Sequence, residues 1–324
     1  MRTAIAEAPS NIAIVKYWGK RDERLNLPLN SSFSISLDAL KVTTEVRVED
    51  GKGTDELYIN GKKVEGEDFE DYAGRVIREF RKLYGDFHVK IYSTSNFPQG
   101  AGLASSAAGI AALTIALNEA LGLSLDQKSL SRIARIGSGS ACRSTAGGFV
   151  LWEKGEKPDG RDSVCYQVFP ETHWPELVDV IGIVRGERKK VSSRKGMLRV
   201  ESSALMSCRV KFVEETLPKV IDAVRRRDEQ EFYYWAMRHS NSMHAVILDS
   251  WPFNFYLNDV AVRVMEEISE SGIAGYTFDA GPNPHVFTTE RHVDEVVEIL
   301  RRVGVNEVVV SRVGSGPKII YTSK

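Results

Sequence analysis

The segment TFDAGPNPH at 277–285 places a carboxylate where acid–base chemistry could occur. Its first residues predict a strand, which leads to Asp279 immediately before the turn AGPNP. A carboxylate at the end of a strand is held rigidly by the backbone, which suits a catalytic base. The alternative is that Asp279 is a simple turn residue.

A second group of polar residues lies near the start of the chain, in NIAIVKYWGKRD at 11–22. The apolar residues predict a strand, which the charge of Lys16 interrupts, and YWGK ends it in a glycine turn. Tyr17 and Lys20 in this turn are suited to grip a phosphate. A lone lysine in such a place is, however, more often a surface residue.

Arg143 follows a run of small residues in IGSGSACRS at 136–144, where serine and glycine alternate. The segment is too apolar and too rich in glycine to be a simple solvated loop. An arginine placed there suits two-pronged binding of a carboxylate or a phosphate. A structural salt bridge is the alternative.

The stretch FPQGAGLASSAAG at 97–109 consists almost entirely of small residues and carries no charge. It runs into GIAALTIALNEALGL, which favours a helix with one apolar side. Small residues at a helix start let phosphate approach the unpaired N–H groups and the positive end of the helix dipole. The stretch matches neither a Walker loop nor a dinucleotide fingerprint, so backbone amides and the hydroxyls of Ser105 and Ser106 would hold a nucleotide. Close packing of a core helix is an equally good interpretation.

The composition limits the class of protein. The 324 residues can bury a substantial core, in one large domain or two fused ones. Lys and Arg (43) balance Asp and Glu (44), so nothing suggests a nucleic-acid partner. The sequence has neither an apolar run long enough for a membrane span nor the apolar core of a signal peptide, and Cys142, Cys165 and Cys208 match no metal spacing. We therefore expect a cytoplasmic protein that binds neither nucleic acid nor membranes.

The elements that must position these residues alternate between strands and helices, which predicts an α+β fold in two joined halves. A change of character after the strand at 178–185 places the boundary there and gives segments 1–185 and 186–324. Strands are predicted at 31–37, 43–50, 88–93, 147–155, 178–185, 274–289 and 306–314, the last as the closing strand, with a hairpin at 57–66. Helices are predicted at 68–84, after the small-residue stretch, at 126–136, within 196–245 and at 291–304.

Five segments together resemble one family. They are APSNIAIVKYWGKRDERLNLPLNSS, FPQGAGLASSAAG, SRIARIGSGSACRSTAGG, VSSRKGM and YTFDAGPNP, and they are similar, in the same order, to the signature segments of the diphosphomevalonate decarboxylases. The similarity extends from residue 8 to VGSGP at 313–317. This family belongs to the galactokinase, homoserine kinase, mevalonate kinase and phosphomevalonate kinase (GHMP kinase) superfamily. The resemblance implies a two-lobed fold, with an N-terminal ribosomal-protein-S5-like α/β half, a C-terminal α+β half and an active site in the cleft between them.

The resemblance also implies a reaction of the mevalonate pathway of isoprenoid biosynthesis. Members of the family bind mevalonate 5-diphosphate and ATP with Mg²⁺, phosphorylate the tertiary 3-hydroxyl, and then lose phosphate and CO₂ to leave isopentenyl diphosphate. Phosphorylation turns a poor leaving group into a good one, and its departure draws electrons from the C1–C2 bond as CO₂ leaves. Such a site must grip two anionic ends and supply a base or an electrostatic partner between them.

Matching positions imply the role of each residue. Asp279 matches the catalytic aspartate near the 3-hydroxyl, Lys16 the lysine beside it, and Arg143 the arginine that holds the substrate carboxylate. Lys20 and Arg194 best suit the diphosphate. The implied substrate-binding residues are Asn11, Tyr17, Trp18, Gly19, Lys20, Ser138, Gly139, Ser140, Ala141, Cys142 and Arg194. The implied ATP loop consists of Pro98, Gly100, Gly102, Leu103, Ala104, Ser105 and Ser106, and its two serines are also the candidate Mg²⁺ ligands.

Two departures and three alternatives accompany the resemblance. An arginine that helps to bind the diphosphate in some eukaryotic members falls at about Tyr72, and Arg75 one helical turn further along could substitute for it. The longer eukaryotic insertions near the C-terminus are absent. A mevalonate 3-kinase, a phosphomevalonate decarboxylase and a non-catalytic binding protein share the fold. Retention of the Asp–Lys–Arg set, YWGK and VSSRKGM favours the diphosphate decarboxylase, for which the family also implies a homodimer.

Overall fold

The computed structural model describes residues 1–97, 105–184 and 191–323. The strands are β1 Arg2–Val15, β2 Lys20–Asp22, β3 Leu27–Pro28, β4 Ser32–Asp50, β5 Glu56–Ile59, β6 Lys62–Val64, β7 Phe87–Ser95, β8 Phe149–Trp152, β9 Cys165–Phe169, β10 Leu177–Ile183, β11 Gly275–Phe278, β12 Pro284–Thr289, β13 Glu307–Arg312 and β14 Lys318–Ser323. The α-helices are α1 Gly66–Phe69, α2 Arg75–Tyr84, α3 Ser105–Leu121, α4 Gln127–Gly137, α5 Ser193–Leu198, α6 Met206–Arg226, α7 Glu229–Asp249, α8 Asp259–Ser271 and α9 Val293–Arg302.

The larger sheet has the strand order β14-β1-β4-β7-β5-β6, with β8 paired to β4 and β9 paired to β8. Its pairs are antiparallel except for β5 and β7, which run parallel. β1 pairs with β4 along its whole length, and the last pair joins Val15 to Phe33. The ladder therefore ends one residue before Lys16, which leaves the sheet at the point where the polar segment begins.

The smaller of the two main sheets is antiparallel and has the order β11-β12-β10-β13, and β2 and β3 form a separate antiparallel pair. Its apolar side packs against α8 and α9 in a core that includes Val180 and Leu300. α6 and α7 contribute Val213 and Phe232 to another core, which also contains Phe33 of the larger sheet. Because that core draws on both sheets, the two halves are joined by buried apolar side chains.

Close packing accounts for the small residues of α3. A Cβ atom on Gly109 would overlap the hydroxyl of Tyr72, so only glycine fits there. On the neighbouring face, Ala111 and Ala112 pack directly against Ala8 of β1. The buried alanines of this helix are Ala107, Ala108, Ala111, Ala112, Ala116 and Ala120. The loop at 98–104 lies outside the described residues, so phosphate binding by that loop stays a prediction.

Most predicted elements are confirmed, including the hairpin of β5 and β6 and the helical region between 196 and 245. The strands predicted at 31–37 and 43–50 are one strand, β4, because a register shift beside Pro9 absorbs the residues between them. The helix predicted at 68–84 contains a π-helical turn at Glu70–Gly74. The segment 306–314 is not the closing strand, since β14 follows it and pairs with β1.

The boundary near 185 stays a prediction. β10 precedes it and pairs with β12 and β13 of the smaller sheet. β14, from the end of the chain, belongs to the larger sheet. Among the helices that the structure describes, none combines the length and apolar character that a membrane span requires.

Candidate active site

The predicted catalytic pair is in direct contact. Nζ of Lys16, just past the end of β1, donates a hydrogen bond to Oδ1 of Asp279, just past the end of β11, at 2.7 Å. The Lys16 side chain is 1% exposed, whereas 36% of the Asp279 side chain remains accessible. A buried ammonium group thus lies beneath a carboxylate that solvent, or a substrate, can reach.

The charge state of the pair follows from its surroundings. Burial lowers the pKa of Lys16, and the charge of Asp279 opposes that shift. Burial alone would raise the pKa of Asp279, but Lys16, with smaller contributions from His285 and Arg143, outweighs burial and holds the pKa below its usual value. Asp279 is therefore ionised at neutral pH and can accept a proton or a hydrogen bond from a hydroxyl group.

The backbone around Asp279 is anchored on both sides. The N–H of Phe278 donates to Oγ of Ser240 on α7 at 3.0 Å, and the N–H of Gly281 donates to the carbonyl of Asp279 at 2.8 Å. After the turn, the buried His285 ring contacts Oδ2 of Asp179 on β10 at 2.7 Å. These contacts fix the carboxylate through the chain on which it stands, which is what a positioned base requires.

Arg143 is 4% exposed and lies in the 3₁₀-helical segment Gly139–Thr145. Its Nε donates to Oδ1 of Asn11 at 2.9 Å, and its Nη1 donates to Oγ of Ser32 at 2.9 Å. Both partners are neutral, and Arg143 forms no ion pair within the ranges that the structure describes. Burial lowers the pKa of Arg143 to about 10 against the opposing charge of Asp279. A buried guanidinium group without a carboxylate partner suits an anionic ligand better than a structural salt bridge.

Lys20 and Arg194 lie near each other, as expected of residues that share one anionic group. Nζ of Lys20 donates to Oδ1 of Asn26 at 2.6 Å, and Arg194 pairs with Asp71. Burial, with the positive charges of Arg194 and Arg75, lowers the pKa of Lys20 to about 8. A bound anion would stabilise the charged form of Lys20, which its positive neighbours disfavour.

Tyr17 offers an unused hydroxyl group. It is 7% exposed, and its Oη has no hydrogen-bond partner among the described residues. A Cβ on Gly139 would lie 2.8 Å from that oxygen, so the glycine keeps space open there. Buried hydroxyl groups normally have partners, and an oxygen of a ligand would supply one.

Several other predicted substrate-binding residues have structural roles. Asn11 braces the site, since it accepts from Arg143 and donates to Oγ of Ser144 at 2.7 Å. Trp18 packs near Tyr256 in a separate apolar cluster. Gly19 has φ +87, which favours glycine in this turn. Substrate contacts by these residues stay predictions.

The segment before Arg143 is only partly accessible. Ser138 caps the end of α4 with an N–H bond to the carbonyl of Ala134 at 3.0 Å, and Ser140 is half-buried beside it. Ala141 is fully buried. Cys142 is also fully buried, and it forms a disulfide with Cys165, a pairing that no spacing rule predicted. Direct contact of this segment with substrate stays a prediction.

Of the predicted ATP loop, Ser105 and Ser106 lie in the described part of the chain, and Pro98, Gly100, Gly102, Leu103 and Ala104 lie outside it. Ser106 is exposed in the first turn of α3, whose unpaired N–H groups suit phosphate oxygens. The described ranges hold no group of three acidic, His or Cys side chains for a metal ion.

Tyr72 and Arg75, the two candidate positions for a diphosphate contact, have different surroundings. The Tyr72 hydroxyl bonds to Oγ of Ser93 at 2.9 Å and packs at α3. Arg75 is close enough to Lys20 to lower its pKa and lines a cavity of about 550 Å³ with Arg24. Tyr72 is thus engaged at Ser93 and α3, whereas Arg75 lies near Lys20; contact of either residue with the diphosphate stays a prediction.

Sequence reasoning missed the residues that support the catalytic pair from behind. Arg209 on α6 and Asn30 both donate to the backbone carbonyl of Lys16. His285 and Asp179 form the buried contact after the Asp279 turn. Arg209 stands in an ordinary helical pattern, so only its burial distinguishes it from a surface arginine.

The two halves, the two sheets and the site between them define the GHMP kinase fold, and solved structures bear this out. A mevalonate diphosphate decarboxylase from Staphylococcus aureus is 33% identical, with a TM-score of 0.93 over 99% of each chain. A chain solved in complex with MVAPP, AMPPCP and magnesium is 32% identical, with a TM-score of 0.91 over 99% of each chain. The predicted fold class is confirmed.

The particular family follows from the sequence comparisons. Residues 8–165 match the diphosphomevalonate decarboxylase-like N-terminal domain, and residues 179–305 match the mevalonate 5-diphosphate decarboxylase C-terminal domain. A diphosphomevalonate decarboxylase from Ganoderma lucidum is 42% identical over 92% of this chain and 81% of its own. The chain belongs to the diphosphomevalonate decarboxylase family, as its motifs predicted.

Proposed function

We propose that this protein converts mevalonate 5-diphosphate to isopentenyl diphosphate in an ATP- and Mg²⁺-dependent decarboxylation that releases ADP, phosphate and CO₂. The observation that carries the proposal is the contact between Lys16 and Asp279 beside a buried Arg143 that has only neutral partners. This set offers a base, a fixed positive charge and a carboxylate receptor in one place. The reaction needs those three functions together.

Asp279 acts on the 3-hydroxyl. Its ionised, accessible carboxylate accepts the hydroxyl proton, or orients the oxygen for attack, as the oxygen–phosphorus bond forms. Lys16 holds the carboxylate at 2.7 Å and keeps its pKa low, so the base is ionised before substrate binds. The ammonium group also lies where negative charge develops during phosphoryl transfer.

Arg143 binds the carboxylate that is lost as CO₂. Asn11 and Ser32 fix the orientation of its guanidinium plane, which holds C1 of the substrate away from bulk water. When the phosphorylated oxygen leaves C3, the C1–C2 bonding electrons form the C2–C3 double bond. A carboxylate whose orientation is fixed keeps that bond aligned with the leaving group.

The diphosphate is held by Lys20 and Arg194, with Tyr17 donating its free hydroxyl. ATP with Mg²⁺, held at the N-terminus of α3 and by Ser105 and Ser106, supplies the phosphoryl group. A similar chain solved in complex with MVAPP, AMPPCP and magnesium supports the choice of ligands. A monophosphate substrate would leave part of the cation cluster without a partner.

A substrate comparison tests the proposal. Purified protein is incubated with ATP, Mg²⁺ and, separately, mevalonate, its 5-phosphate and its 5-diphosphate, and ADP and CO₂ are measured. We expect both products with the 5-diphosphate. ADP without CO₂ would identify a 3-kinase, faster turnover of the 5-phosphate would identify a phosphomevalonate decarboxylase, and no turnover would leave a binding protein.

We further propose that the protein is a cytoplasmic homodimer. Dimers are expected from the family resemblance, and the thiol of Cys208 on α6 is exposed and free to report such a contact if it lies there. Light scattering coupled to size-exclusion chromatography measures the mass directly. A mass near 36.1 kDa at micromolar concentration would contradict the dimer.

A further inference from the structure

The backbone of Lys16 is held by side chains and not by a sheet. β1 ends at Val15, whose pair with Phe33 is the last of the β1–β4 ladder. The carbonyl of Lys16 instead accepts two side-chain hydrogen bonds, from Nη2 of Arg209 at 2.7 Å and from Nδ2 of Asn30 at 3.0 Å. These two donors therefore decide where the Lys16 backbone lies.

Within the described residues, the Arg209 side chain donates hydrogen bonds to the Lys16 carbonyl and to Asn30. It is 3% exposed, its Nη1 donates to Oδ1 of Asn30 at 2.8 Å, and its Nε has no partner there. It forms no ion pair within those ranges. Arg209, Asn30 and the Lys16 carbonyl thus form a closed triangle of hydrogen bonds around a buried positive charge.

The triangle joins the two halves of the chain at the reacting pair. Lys16 and Asn30 come from the first half, whereas Arg209 on α6 comes from the second half, as does Asp279. The second half consequently holds Lys16 at both ends: Arg209 at the backbone carbonyl and Asp279 at Nζ. A shift of the carbonyl would move the ammonium group relative to the carboxylate.

The other titratable groups around the pair do not perform this task. Burial, Arg209 and Lys16 lower the pKa of His239 on α7 to about 3. Burial and Lys16 lower the pKa of His244 on the same helix to about 4, so both rings are neutral at assay pH. The charges of Arg143 and of Asp179 on β10 shift the pKa of Lys16, but neither side chain holds its backbone.

We propose that Arg209, together with Asn30, is a positioning residue that sets the geometry of the Lys16–Asp279 pair by fixing the Lys16 carbonyl. The inference deepens the proposed function, because it concerns the pair to which that function assigns the proton and phosphoryl chemistry. Arg209 touches no substrate in this assignment. Its effect must therefore pass entirely through Lys16.

A double-mutant cycle tests this dependence. Arg209→Lys keeps the charge but cannot bond to the carbonyl and Asn30 at once in the fork geometry of a guanidinium group. We expect kcat for CO₂ release to fall about 10- to 100-fold, the scale of a small misplacement, with KM for ATP within about twofold. In a Lys16→Met background, Arg209→Lys should lower kcat by less than about twofold, because the lysine that Arg209 positions is gone.

Arg135 provides the matched control. It is 2% exposed and also donates to backbone carbonyls, those of Leu25 and Gly160, but it has no bond to the Lys16 segment. Arg135→Lys should change activity by the same factor in both backgrounds. If Arg209→Lys lowered kcat by the same factor in the wild-type and Lys16→Met backgrounds, the effect would be a general destabilisation, and the proposal would be overturned.

Two further experiments test the positioning role of Arg209 even if one variant does not fold or the proposed function is wrong. If Arg209→Lys does not fold, Asn30→Ala removes the second donor without changing charge and enters the same cycle. A crystal structure of a folded variant reports the distance from Lys16 Nζ to Asp279 whatever the substrate is. A distance that stays at 2.7 Å would overturn the positioning role, whereas failure of wild-type protein to release CO₂ would refute only the proposed function.

Discussion

Replacing Asp279 by Asn removes the base and leaves the shape of its side chain nearly unchanged. The amide oxygen can still accept the hydrogen bond from Lys16 Nζ that the carboxylate accepts at 2.7 Å. What disappears is the negative charge and the capacity to take a proton from the 3-hydroxyl. A positioned general base contributes about 10²- to 10⁴-fold, so we expect kcat to fall at least about 10²-fold.

The effect on stability should be smaller than for a fully buried pair. Removing one partner of such a pair costs about 3–5 kcal/mol. Here 36% of the Asp279 side chain is accessible, and Lys16 can lose its proton, so we expect less. Without Asp279, the main opposition to burial is lost and only the weaker charge of Asp179 remains, so the pKa of Lys16 falls further. The unfolded chain then binds more protons between that lowered pKa and the ordinary lysine value, so the stability deficit should shrink as pH rises.

The assay measures kcat for CO₂ release, the dissociation constant of ATP and the melting temperature for Asp279→Asn and wild type. ATP affinity should stay within about twofold, because the α3 N-terminus binds it with other residues. Asp259→Asn is the control, since that aspartate is exposed and pairs with Arg263 on the same helix, α8. A fall in kcat of less than about threefold, with circular dichroism unchanged, would refute the catalytic role.

Three further predictions concern binding and assembly. Arg143→Lys should lower kcat/KM for substrate about 10- to 150-fold, because a point charge replaces a charged fork worth about 1.5–3 kcal/mol, and near-wild-type kcat/KM would indicate a structural role. The lowered pKa of Lys20, about 8, predicts that kcat/KM for the diphosphate substrate falls as pH rises through that value and the charge is lost. Lys20→Arg should abolish this alkaline limb, and an unchanged limb would assign it to another group. If exposed Cys208 lies at a dimer contact, non-reducing electrophoresis of protein handled without reductant should show a cross-linked dimer, and a monomer band alone would exclude the cross-link.

The sequence could predict what depends on local pattern. Alternating apolar residues predicted the strands of both sheets, and the glycine turn after Lys16 predicted the exit from β1. Asp279 was predicted at the end of a strand because TFDAGPNP shows both the strand and its turn. The small residues at the start of α3 supported two interpretations, phosphate binding and close packing of a core helix. The packing of Ala111 and Ala112 against Ala8 of β1 shows that close packing holds along the helix.

Contacts between distant segments could not be predicted in this way. No local pattern joins Cys142 to Cys165, and none brings Arg209 to the carbonyl of Lys16. The disulfide depends on how the segment Gly139–Thr145 packs near β9, and the Arg209 contact depends on how α6 packs in the core shared between the halves. The return of β14 to pair with β1 is a similar case, because edge pairing depends on topology and not on the strand's own residues.

The net charge of the whole chain does not reveal the positive charge that is concentrated at the site. Forty-three basic residues balance 44 acidic ones, which gives no reason to expect a nucleic-acid partner and does not reveal a smaller anionic ligand. Within the described residues, however, Arg143 and Lys20 are buried or half-buried with neutral hydrogen-bond partners, and Lys16 has one carboxylate. Buried cations without counter-ions are costly, and in the proposed function a ligand with a carboxylate at one end and a diphosphate at the other neutralises Arg143 and Lys20. The unpaired positive charges, and not the overall composition, therefore indicate what this site binds.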